Sequence, residues 1–387
     1  MKVVILAGGS GERLRPLTVS IPKALAPIDG IPVIKRQIDS LLDLGIVEII
    51  VLTGYRSDMI EHYLTGIYKH SSANLTIVET PISFSPLQRL VDSKALIGSD
   101  FLLMYCDNFV TDTEALQSTL NSTARLTFLV EKRDIGNISI GSDVRYRESR
   151  SKDYPYVELG YMHIKSDLFF PYLEKSSSLQ EAIEGFSNNF HCSVVITLNS
   201  NSSVSDILRF NKLRIKRKTI LLDRDGVLNE KMPHRKYLTN FAEYKPIHSN
   251  LETLRSRFSD DTDFIVITNQ PGIATGEVEA DFLDFLHSKM IVEMFLLGIS
   301  VIGIYVCNHH WEQGCDCRKP KPGMINQAII DYNLFPQKIV YIGDEVKDME
   351  AAEAAGIIGV RLTENPNETE FSTLESAYDV IQQTISM

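Results

Sequence analysis

The chain alternates short apolar runs with segments in which apolar residues recur every three or four positions. The short runs have the composition of buried strands, and the periodic segments have the spacing of helices packed against a sheet. In the first half, the predicted strands are Lys2–Ala7, Glu48–Thr53, Asn74–Glu79, Phe101–Cys106, Arg125–Val130, Tyr156–Ile164 and His191–Leu198. The predicted helices there are Ile34–Leu44, Ser57–Leu64, Leu87–Leu96 and Thr113–Leu120.

The second half repeats this plan. Its predicted strands are Thr219–Leu222, Phe264–Thr268, Val301–Val306, Ile339–Ile342 and Ile358–Val360. The long apolar pattern Val278–Leu297 predicts a helix, and Thr363–Met387 reads as a polar tail with a closing helix. Because strands that alternate with helices form parallel sheets covered on both faces, we expect an α/β protein whose two domains each contain a mostly parallel sheet flanked by helices.

A break in the pattern separates the two halves. Asn199–Ser203 is polar, the short helical pattern Val204–Leu213 follows it, and the basic run Arg214–Lys218 comes next. A length of 387 residues fits two domains of about 100–200 residues each. We therefore expect one domain at residues 1–214 and a second at residues 215–387.

Charge and hydropathy narrow the range of partners. The formal net charge is −11, with 50 acidic and 39 basic residues, which argues against nucleic acid because a phosphate backbone needs a basic surface. Small phosphorylated substrates need only a few local cations. No apolar run reaches the ~18–20 residues that span a bilayer, and the apolar start Met1–Gly9 is too short for a signal peptide. We expect a cytoplasmic protein with no membrane partner; self-association stays open.

Two carboxylates follow the first strand of the second half. Asp223 and Asp225 stand at i and i+2, where a turn lets both point to a common site. One could attack a phosphorus atom, and the other could exchange protons with the leaving oxygen and the attacking water. Gly226 lets the backbone turn sharply beside a ligand. Taken alone, the Asp-x-Asp-Gly pattern is as typical of a plain turn or a calcium loop.

Three further polar clusters follow later strands in order. Thr268 and Asn269 offer a hydroxyl and amides to a phosphoryl oxygen, and Arg318 and Lys319 supply fixed cations. Gly343–Asp348 offers carboxylates to magnesium. Because the carboxyl ends of parallel strands meet at one edge of a sheet, these clusters predict a single phosphate-handling site.

The motifs at residues 223–229, 268–274, 315–320 and 343–344 resemble those of the haloacid dehalogenase superfamily, above all the branch that holds heptose 1,7-bisphosphate phosphatase and histidinol phosphatase. The resemblance covers roughly residues 218–362. It implies that Asp223 is the nucleophile, Asp225 the acid/base, Lys319 the group that stabilises the phosphoryl group and Arg318 a substrate contact. It also implies that magnesium is held by the Asp223 carboxylate, the Asp225 carbonyl and Asp344.

Four metal-ligating side chains cluster in the second half. Cys307, His309, Cys315 and Cys317 supply three thiolates and an imidazole, which is a complete zinc set. His310 is a second candidate for the imidazole, and incidental loop cysteines are the plainer alternative. Four protein ligands leave no position for a substrate, so we expect a structural Zn²⁺. The short loop between His309 and Cys315 is closer to the spacing of histidinol phosphatase than to that of the heptose enzymes.

A glycine loop follows the first strand of the chain. Its backbone amides could cradle a nucleotide, and its glycines are Gly8, Gly9 and Gly11. Arg13 and Lys23 could balance the charge of a triphosphate, and Asp107, directly after Phe101–Cys106, could bind magnesium. The plainer alternatives are a tight turn for the glycines and a strand-end turn residue for Asp107.

Leu6–Leu14 and Pro22–Leu25 resemble the sugar-nucleotide pyrophosphorylase family of nucleotidyltransferases, which includes mannose-1-phosphate and heptose-1-phosphate guanylyltransferases. The resemblance covers about residues 1–213. It implies that a sugar 1-phosphate attacks the α-phosphorus of a nucleoside triphosphate and releases pyrophosphate. Arg13 and Lys23 would stabilise charge, and Asp107 would hold magnesium.

Three departures from this second family stand out. Pro81–Leu87 replaces a Gly-Thr-Ala-Gly-like stretch, Glu158–Tyr161 replaces an Asn-x-Gly sugar contact, and Leu198–Asn201 replaces a segment with a second metal-binding Asp. Losing a metal carboxylate would lower or alter nucleotidyl transfer. A nucleotide- or sugar-binding module without catalysis is therefore the alternative for this half.

Together, the two resemblances imply a bifunctional enzyme of nucleotide-activated heptose biosynthesis. A heptose 1,7-bisphosphate would lose its 7-phosphate in the second domain, and heptose 1-phosphate would receive GMP from GTP in the first. Mg²⁺ would serve both sites and Zn²⁺ the cysteine loop. The product would feed a surface polysaccharide or lipopolysaccharide. The alternative is a histidinol-phosphate-type phosphatase fused to a non-catalytic binding module.

Overall fold

The computed structural model describes the whole chain except residues 142, 198–201, 234–236, 368 and 387. The chain forms two compact units. The first comprises Met1–Glu12, Pro22–Leu25 and Pro32–Ser205, and the second comprises Arg13–Ile21, Ala26–Ile31 and Asp206–Met387. The domain boundary expected near residue 215 stays a prediction.

A mixed sheet lies at the centre of the first unit. The strands of residues 1–205 are β1 (Lys2–Leu6), β2 (Pro27–Ile28), β3 (Ile31–Pro32), β4 (Glu48–Thr53), β5 (Asn74–Glu79), β6 (Asp100–Tyr105), β7 (Asn108–Phe109), β8 (Leu126–Lys132), β9 (Gly136–Ile140), β10 (Val144–Ser151), β11 (Tyr156–Lys165), β12 (Cys192–Thr197) and β13 (Ser202–Ser203). β5, β4, β1 and β6 are parallel neighbours in that order. β11 joins β6 in the antiparallel sense and extends the sheet to β8 and β9.

The remaining pairings complete this part of the chain. β12 runs parallel to β8, and β10 runs antiparallel to β9 at the edge of the sheet. β2 pairs with β3, and β7 pairs with β13, in two small separate sheets. The predicted strands are present, except that Leu198, the last residue of the predicted strand His191–Leu198, lies outside the described residues. β9 and β10 were not predicted. The edge strand β10 buries only Val144 and Tyr146 and carries exposed arginines, so it lacks the apolar run on which the prediction relied.

The helices of residues 1–205 are α1 (Leu17–Ser20), α2 (Val33–Asp43), α3 (Ser57–Ile67), α4 (Pro86–Asp92), α5 (Lys94–Ile97), α6 (Thr113–Leu120), α7 (Phe169–Leu173) and α8 (Leu179–Asn189). The single helix predicted at Leu87–Leu96 is wrong, because the chain breaks at Ser93 between α4 and α5. α8 was not predicted. Its Phe186 packs edge-on against Phe169 at 5.5 Å in the core of the unit.

A fully parallel sheet lies at the centre of the second unit. Its strands are β14 (Lys218–Leu222), β15 (Thr262–Asn269), β16 (Ser300–Cys307), β17 (Ile339–Gly343) and β18 (Ile358–Arg361). They lie in the order β16–β15–β14–β17–β18, and all neighbours are parallel. β14 is therefore central, and the carboxyl ends of β15 and β17 flank the residue that follows it. The α/β fold class is confirmed in both units.

The helices of residues 206–386 are α9 (Ile207–Leu213), α10 (His248–Thr253), α11 (Ala280–Leu296), α12 (Gly323–Tyr332), α13 (Val346–Ala354) and α14 (Tyr378–Ser386). α11 corresponds to the predicted long helix, and α14 to the predicted closing helix. α12 and α13 were not predicted, although they connect the strands that carry the candidate site. In the described part of the chain, no helix combines the length and the apolar character that crossing a membrane requires.

Candidate active sites and metal centres

Asp223 lies directly after β14, the central strand of the second sheet, and is 6 % exposed. Its Oδ1 atom is 2.9 Å from Lys319 Nζ, and the same ammonium is 2.8 Å from Asp348 Oδ1. Burial raises the pKa of Asp223 to about 7, although the charge of Lys319 opposes the shift. Burial would lower the pKa of Lys319, but the two carboxylates outweigh it and raise that pKa. One protonated lysine therefore bridges two buried carboxyl groups.

Asp225 lies in the turn after β14 and lines the same cavity. Burial alone would raise its pKa, but the Arg224 guanidinium and hydrogen bonds from Asn229 and Gln270 outweigh burial and lower it. Arg224 Nη2 is 2.8 Å from both carboxylate oxygens. Asn229 Nδ2 donates to Oδ1 at 2.9 Å, and Gln270 Nε2 donates to Oδ2 at 2.8 Å. Asp225 is therefore a carboxylate at rest, and a neighbouring negative charge would be needed for it to hold a proton.

Two more carboxylates lie between the end of β17 and the first turn of α13. Oxygen atoms of Asp223, Asp344 and Asp348 lie within 4.8 Å of one another. Asp344 Oδ1 is buried and has no hydrogen-bond partner among the described residues, whereas buried carboxylate oxygens normally have one. Burial raises the pKa of Asp344 despite its ion pair with Lys231. A set of oxygen donors with one unsatisfied atom fits Mg²⁺.

The structure adds one carboxylate to the predicted magnesium set of Asp223, Asp344 and the Asp225 carbonyl. Asp348 is fully buried, and its Oδ2 accepts a hydrogen bond from Glu345 N at 3.0 Å. The ligand role of the Asp225 carbonyl stays a prediction. Gly226 has φ +89°, and a Cβ on it would overlap the Asp344 carboxylate. Glycine is therefore required for the close approach of the β14 turn to the end of β17.

A cavity of about 260 Å³ opens beside Asp223 and Asp225, and the predicted substrate-binding residues Thr268, Asn269 and Arg318 line it. The Asn269 side chain exchanges two hydrogen bonds of 3.1 Å with the backbone of Lys319, so it fixes the position of that lysine. Arg318 Nη1 is buried without a hydrogen-bond partner in the described structure. Gln270, which sequence reasoning missed, donates to Thr268 Oγ1 at 2.8 Å as well as to the Asp225 carboxylate.

The predicted zinc ligands converge at the end of β16. Ligand atoms of Cys307, His309, Cys315 and Cys317 all lie within 4.8 Å of one another. Cys307 Sγ is 3.7 Å from Cys315 Sγ, and His309 Nδ1 is 3.2 Å from Cys317 Sγ. Ligands about 2.0–2.3 Å from a tetrahedral zinc have such separations, so the donor set fits Zn²⁺. His310 Nδ1 instead accepts a hydrogen bond from Glu312 N at 3.3 Å.

Lys23 and Asp107 form an ion pair in the first unit, with Nζ 2.6 Å from Oδ2. Asp107 follows β6, and Lys23 begins the 3₁₀ turn Lys23–Leu25. The described residues form no group of three or more metal-ligating side chains around Asp107. The segment 198–201, where the family has a second carboxylate, lies outside the described residues. Magnesium binding by Asp107 stays a prediction.

The predicted glycine loop follows β1 and rests on a buried arginine. The Gly8 carbonyl accepts hydrogen bonds of 3.1 Å from Tyr55 N and from Arg89 Nη2. Arg89 is 3 % exposed and also donates to Thr53 O at 2.7 Å and to Thr80 Oγ1. Burial lowers the pKa of this guanidinium. Sequence reasoning missed Arg89, because its partners come from other strands and loops and no local motif marks it.

The other predicted loop residues are accessible. A Cβ on Gly9 would meet open space within the described structure, and Gly11 has φ +66°. Arg13 is exposed in the 3₁₀ turn Glu12–Leu14. Gly8 is buried, Gly9 is exposed and Gly11 is half-buried, so the loop reaches the surface of the unit at Gly9. The nucleotide contacts of Gly8, Gly9, Gly11 and Arg13 stay predictions.

Glu158 lies on β11, where the resembling family has a sugar contact. Burial raises its pKa to about 7, and the charge of Asp107 adds to the shift. Its Oε1 accepts a hydrogen bond from Gly160 N, and its own N–H donates to Asn137 Oδ1 at 3.0 Å. A carboxyl group that titrates near neutral pH thus stands within electrostatic reach of the Lys23–Asp107 pair.

Comparison with known proteins identifies both halves. Residues 2–140 match the Nucleotidyl transferase family model, and residues 286–361 match the Haloacid dehalogenase-like hydrolase model. The chain is 36 % identical over 177 residues to the D-glycero-β-D-manno-heptose-1,7-bisphosphate 7-phosphatase of Pasteurella multocida, a match that covers 42 % of this chain and 95 % of the relative. The enzyme of the same name from Pseudomonas aeruginosa is 36 % identical over 138 residues, with 36 % of this chain and 76 % of that protein covered.

Among solved structures, the chain aligns with the D,D-heptose 1.7-bisphosphate phosphatase from B. bronchiseptica complexed with magnesium and phosphate, at 26 % identity and a TM-score of 0.39. That alignment covers 43 % of this chain and 98 % of the other. The family matches confirm both resemblances that were drawn from the motifs. The chain is therefore an enzyme with a nucleotidyltransferase domain and a phosphatase domain. Through its phosphatase domain, it belongs to the haloacid dehalogenase-like family of D-glycero-β-D-manno-heptose-1,7-bisphosphate 7-phosphatases.

Proposed function

We propose that this enzyme makes a nucleotide-activated heptose in two steps. The C-terminal domain hydrolyses the 7-phosphate of D-glycero-D-manno-heptose 1,7-bisphosphate, and the N-terminal domain transfers GMP from GTP to the resulting heptose 1-phosphate. The observation that carries the proposal is the pairing of Asp223 with Lys319 in a buried carboxylate cluster, next to Asp225. Family membership supplies the substrate, because the matched relatives are phosphatases of this heptose bisphosphate.

In the first half-reaction, the phosphoryl group is transferred from the sugar to the enzyme. A carboxylate oxygen of Asp223 attacks the phosphorus of the 7-phosphate, and the bond between phosphorus and the sugar oxygen breaks. The electron pair stays on the sugar oxygen, which takes a proton from Asp225. The pKa of Asp225 is lowered in the free enzyme, so this carboxyl group must first take up a proton. The negative charge of the bound phosphate raises the pKa of Asp225, and substrate binding thereby prepares the acid.

The second half-reaction restores the enzyme. Water attacks the aspartyl phosphate while Asp225 accepts its proton, and the bond between phosphorus and Asp223 breaks to release inorganic phosphate. Arg224, Asn229 and Gln270 suit Asp225 for this basic role because they favour its charged form. Magnesium held by Asp223, Asp344 and Asp348 would neutralise charge on the phosphoryl oxygens. Lys319 holds the nucleophile in place and balances the same charge.

Nucleotidyl transfer needs no protein nucleophile. An oxygen of the sugar 1-phosphate attacks the α-phosphorus of GTP, and pyrophosphate leaves with the electron pair of the broken bond. Lys23 and Arg13 would stabilise the charge that develops on the phosphates, Asp107 would hold Mg²⁺, and the loop at Gly8, Gly9 and Gly11 would bind the nucleotide. Zn²⁺ on the cysteine loop is structural in this proposal. Both reactions take place in the cytoplasm and supply surface polysaccharide or lipopolysaccharide synthesis.

A phosphate-release assay on a substrate panel, with product NMR, tests the first activity. We expect heptose 1,7-bisphosphate to be hydrolysed at the 7-position and faster than histidinol phosphate. Faster hydrolysis of histidinol phosphate would reject the heptose assignment and favour the alternative drawn from the short zinc loop.

A pyrophosphate-release assay tests the second activity. The protein is incubated with magnesium, heptose 1-phosphate and each nucleoside triphosphate in turn, and we expect release with GTP. The described residues gather only one carboxylate metal ligand with Lys23, and this observation favours a second candidate, a nucleotide-binding module without catalysis. Absence of pyrophosphate with every nucleotide, together with measurable nucleotide binding, would establish that candidate.

A further inference from the structure

Lys231 connects the carboxylates at the end of β17 to the loop that follows the nucleophile. Its Nζ atom is 2.8 Å from Asp344 Oδ2 and also contacts Glu345 Oε1. The Lys231 side chain is 44 % exposed, whereas that of Asp344 is 16 % exposed. Lys231 lies two residues beyond the motif at 223–229, and sequence reasoning gave it no role.

The two oxygens of Asp344 have different surroundings. Lys231 holds Oδ2, while Oδ1 is buried and has no hydrogen-bond partner in the described part of the chain. The backbone of Gly226 approaches the same carboxylate so closely that a Cβ would overlap it. Rotation of the carboxylate would therefore separate Oδ2 from the ammonium. This arrangement fixes which oxygen is free to bind a ligand.

We propose that Lys231 is a positioning residue for the magnesium site. By holding Asp344 Oδ2, it presents Oδ1 to the cluster formed with Asp223 and Asp348. This inference rests on the proposed function, because it assumes the magnesium site of the phosphatase. A group that orients a metal-ligating side chain commonly accounts for a change of about 10–100-fold in metal affinity. Lys231 therefore increases the affinity for magnesium even though it is itself a cation.

Charge alone would have the opposite effect. A lysine cation repels a nearby dication, so its removal would strengthen magnesium binding if repulsion dominated. Solvent screens that repulsion at a side chain that is 44 % exposed, whereas the orientation of Asp344 is unaffected by screening. The sign of the change in magnesium affinity upon replacement of Lys231 therefore separates the two effects.

The test is a titration of the full-length protein with magnesium in the absence of substrate. Calorimetry measures the affinity for magnesium, and the rise in melting temperature is an independent readout of binding. Lys231→Met should bind magnesium about tenfold or more weakly. Lys231→Arg should stay close to wild type, because a guanidinium can also donate to Oδ2. Lys347→Met is the matched control. It removes the same charge from the neighbouring ion pair with Glu345 and leaves both oxygens of Asp344 as they are.

Two outcomes would overturn the proposal. Unchanged or tighter magnesium binding by Lys231→Met would show that orientation does not matter, and an equal loss in Lys347→Met would show that only charge matters. If Lys231→Met does not fold, the same measurements are made on Lys231→Gln. Wild-type protein that binds no magnesium would instead reject the cation chemistry of the proposed function. Phosphate release at increasing magnesium is the second readout, and its half-maximal concentration should rise by the same factor in Lys231→Met.

Discussion

The two candidate sites balance charge in different ways. In the phosphatase domain, Lys319 bridges the buried Asp223 and Asp348, and the buried Arg224 neutralises the half-buried Asp225. In the nucleotidyltransferase domain, Lys23 and Asp107 form a half-buried ion pair near Glu158, Arg13 is exposed, and the buried Arg89 donates to uncharged oxygens. The first site is organised before any ligand arrives. Among the predicted residues that the structure describes in the second site, Lys23 and Asp107 form the ion pair, and substrates and cations would supply further charge.

The difference follows from the chemistry of each step. An enzyme that forms a covalent phosphoryl intermediate needs its own nucleophile, acid and counter-charge fixed in advance. An enzyme that transfers a nucleotide directly between two substrates needs mainly to bind and orient them, and the phosphates bring most of the charge. Substitutions should therefore affect the two activities separately, and the following experiments test that separation from the largest expected effect to the smallest.

Asp223→Asn gives the largest effect. Phosphate release should fall by about 10⁴-fold or more, because an amide cannot attack phosphorus, while pyrophosphate release should be unchanged. Both activities are measured on the same preparation. Asp261→Asn, at an exposed ion pair with Lys218, is the control and should keep both. Loss of both activities in Asp223→Asn would contradict the separation of the sites.

Lys23→Met should produce the reverse pattern. Removal of a cation that stabilises developing phosphate charge should lower nucleotidyl transfer by about 10²–10³-fold and leave phosphate release intact. Lys35→Met, which removes the half-buried i, i+4 partner of Asp39, serves as the control. Undiminished pyrophosphate release by Lys23→Met would remove that lysine from the site.

Cys315→Ser tests the metal centre of the phosphatase domain. Zinc content should fall, and the melting temperature of that domain should drop by about 5 °C or more, because site formation and folding are linked. Metal analysis and calorimetry measure the two changes. Cys192→Ser replaces a buried thiol of the first unit and should keep the zinc. Normal zinc content in Cys315→Ser would rule out the assigned ligand set.

Glu158→Gln should have the smallest effect, and it depends on pH. The folded-state pKa of about 7 lies above the ordinary value, so the folded domain binds a proton that the unfolded chain has released. Stability is therefore full below about pH 4.5 and declines as pH rises to about 7. The glutamine variant lacks this decline and should be more stable above pH 7 by about 1–3 kcal/mol.

Thermal unfolding of the metal-free protein at pH 5 and pH 8 measures this difference. Glu114→Gln, at an exposed position of α6, is the control and should follow wild type. If the melting temperatures of the wild type and of Glu158→Gln changed equally between pH 5 and pH 8, Glu158 would already be ionised in the folded protein at pH 5.

Apolar runs predicted the parallel strands well. β4 and β5 begin and end where the pattern placed them: β4 is buried from Ile49 to Thr53, and the edge strand β5 alternates exposed and half-buried residues over most of its length. The edge strand β10 could not be predicted, because charged side chains occupy its exposed positions. The break at Ser93 was also missed, since both flanking segments keep helical periodicity.

The residues of the candidate sites also divide into those that the sequence predicted and those that it missed. Asp223, Asp225 and Gly226 were predicted because one local turn contains them. Two residues that contact predicted site residues were missed, because no local spacing marks them. Lys231 contacts Asp344, which is 113 positions away, and Arg89 contacts Gly8, which is 81 positions away. Sequence motifs therefore predict the reacting groups, whereas the groups that contact and orient those side chains depend on how distant strands meet.

The cysteine loop and Lys319 are joined by a short path. Asn269 pairs in register with Cys307 across β15 and β16, and its amide holds the backbone of Lys319, two residues after Cys317. Oxidation of the thiols, or depletion of zinc, should thus displace the ammonium from its nucleophile and silence dephosphorylation. In a stressed cell, the supply of activated sugar would stop at the bisphosphate, before any GTP is consumed.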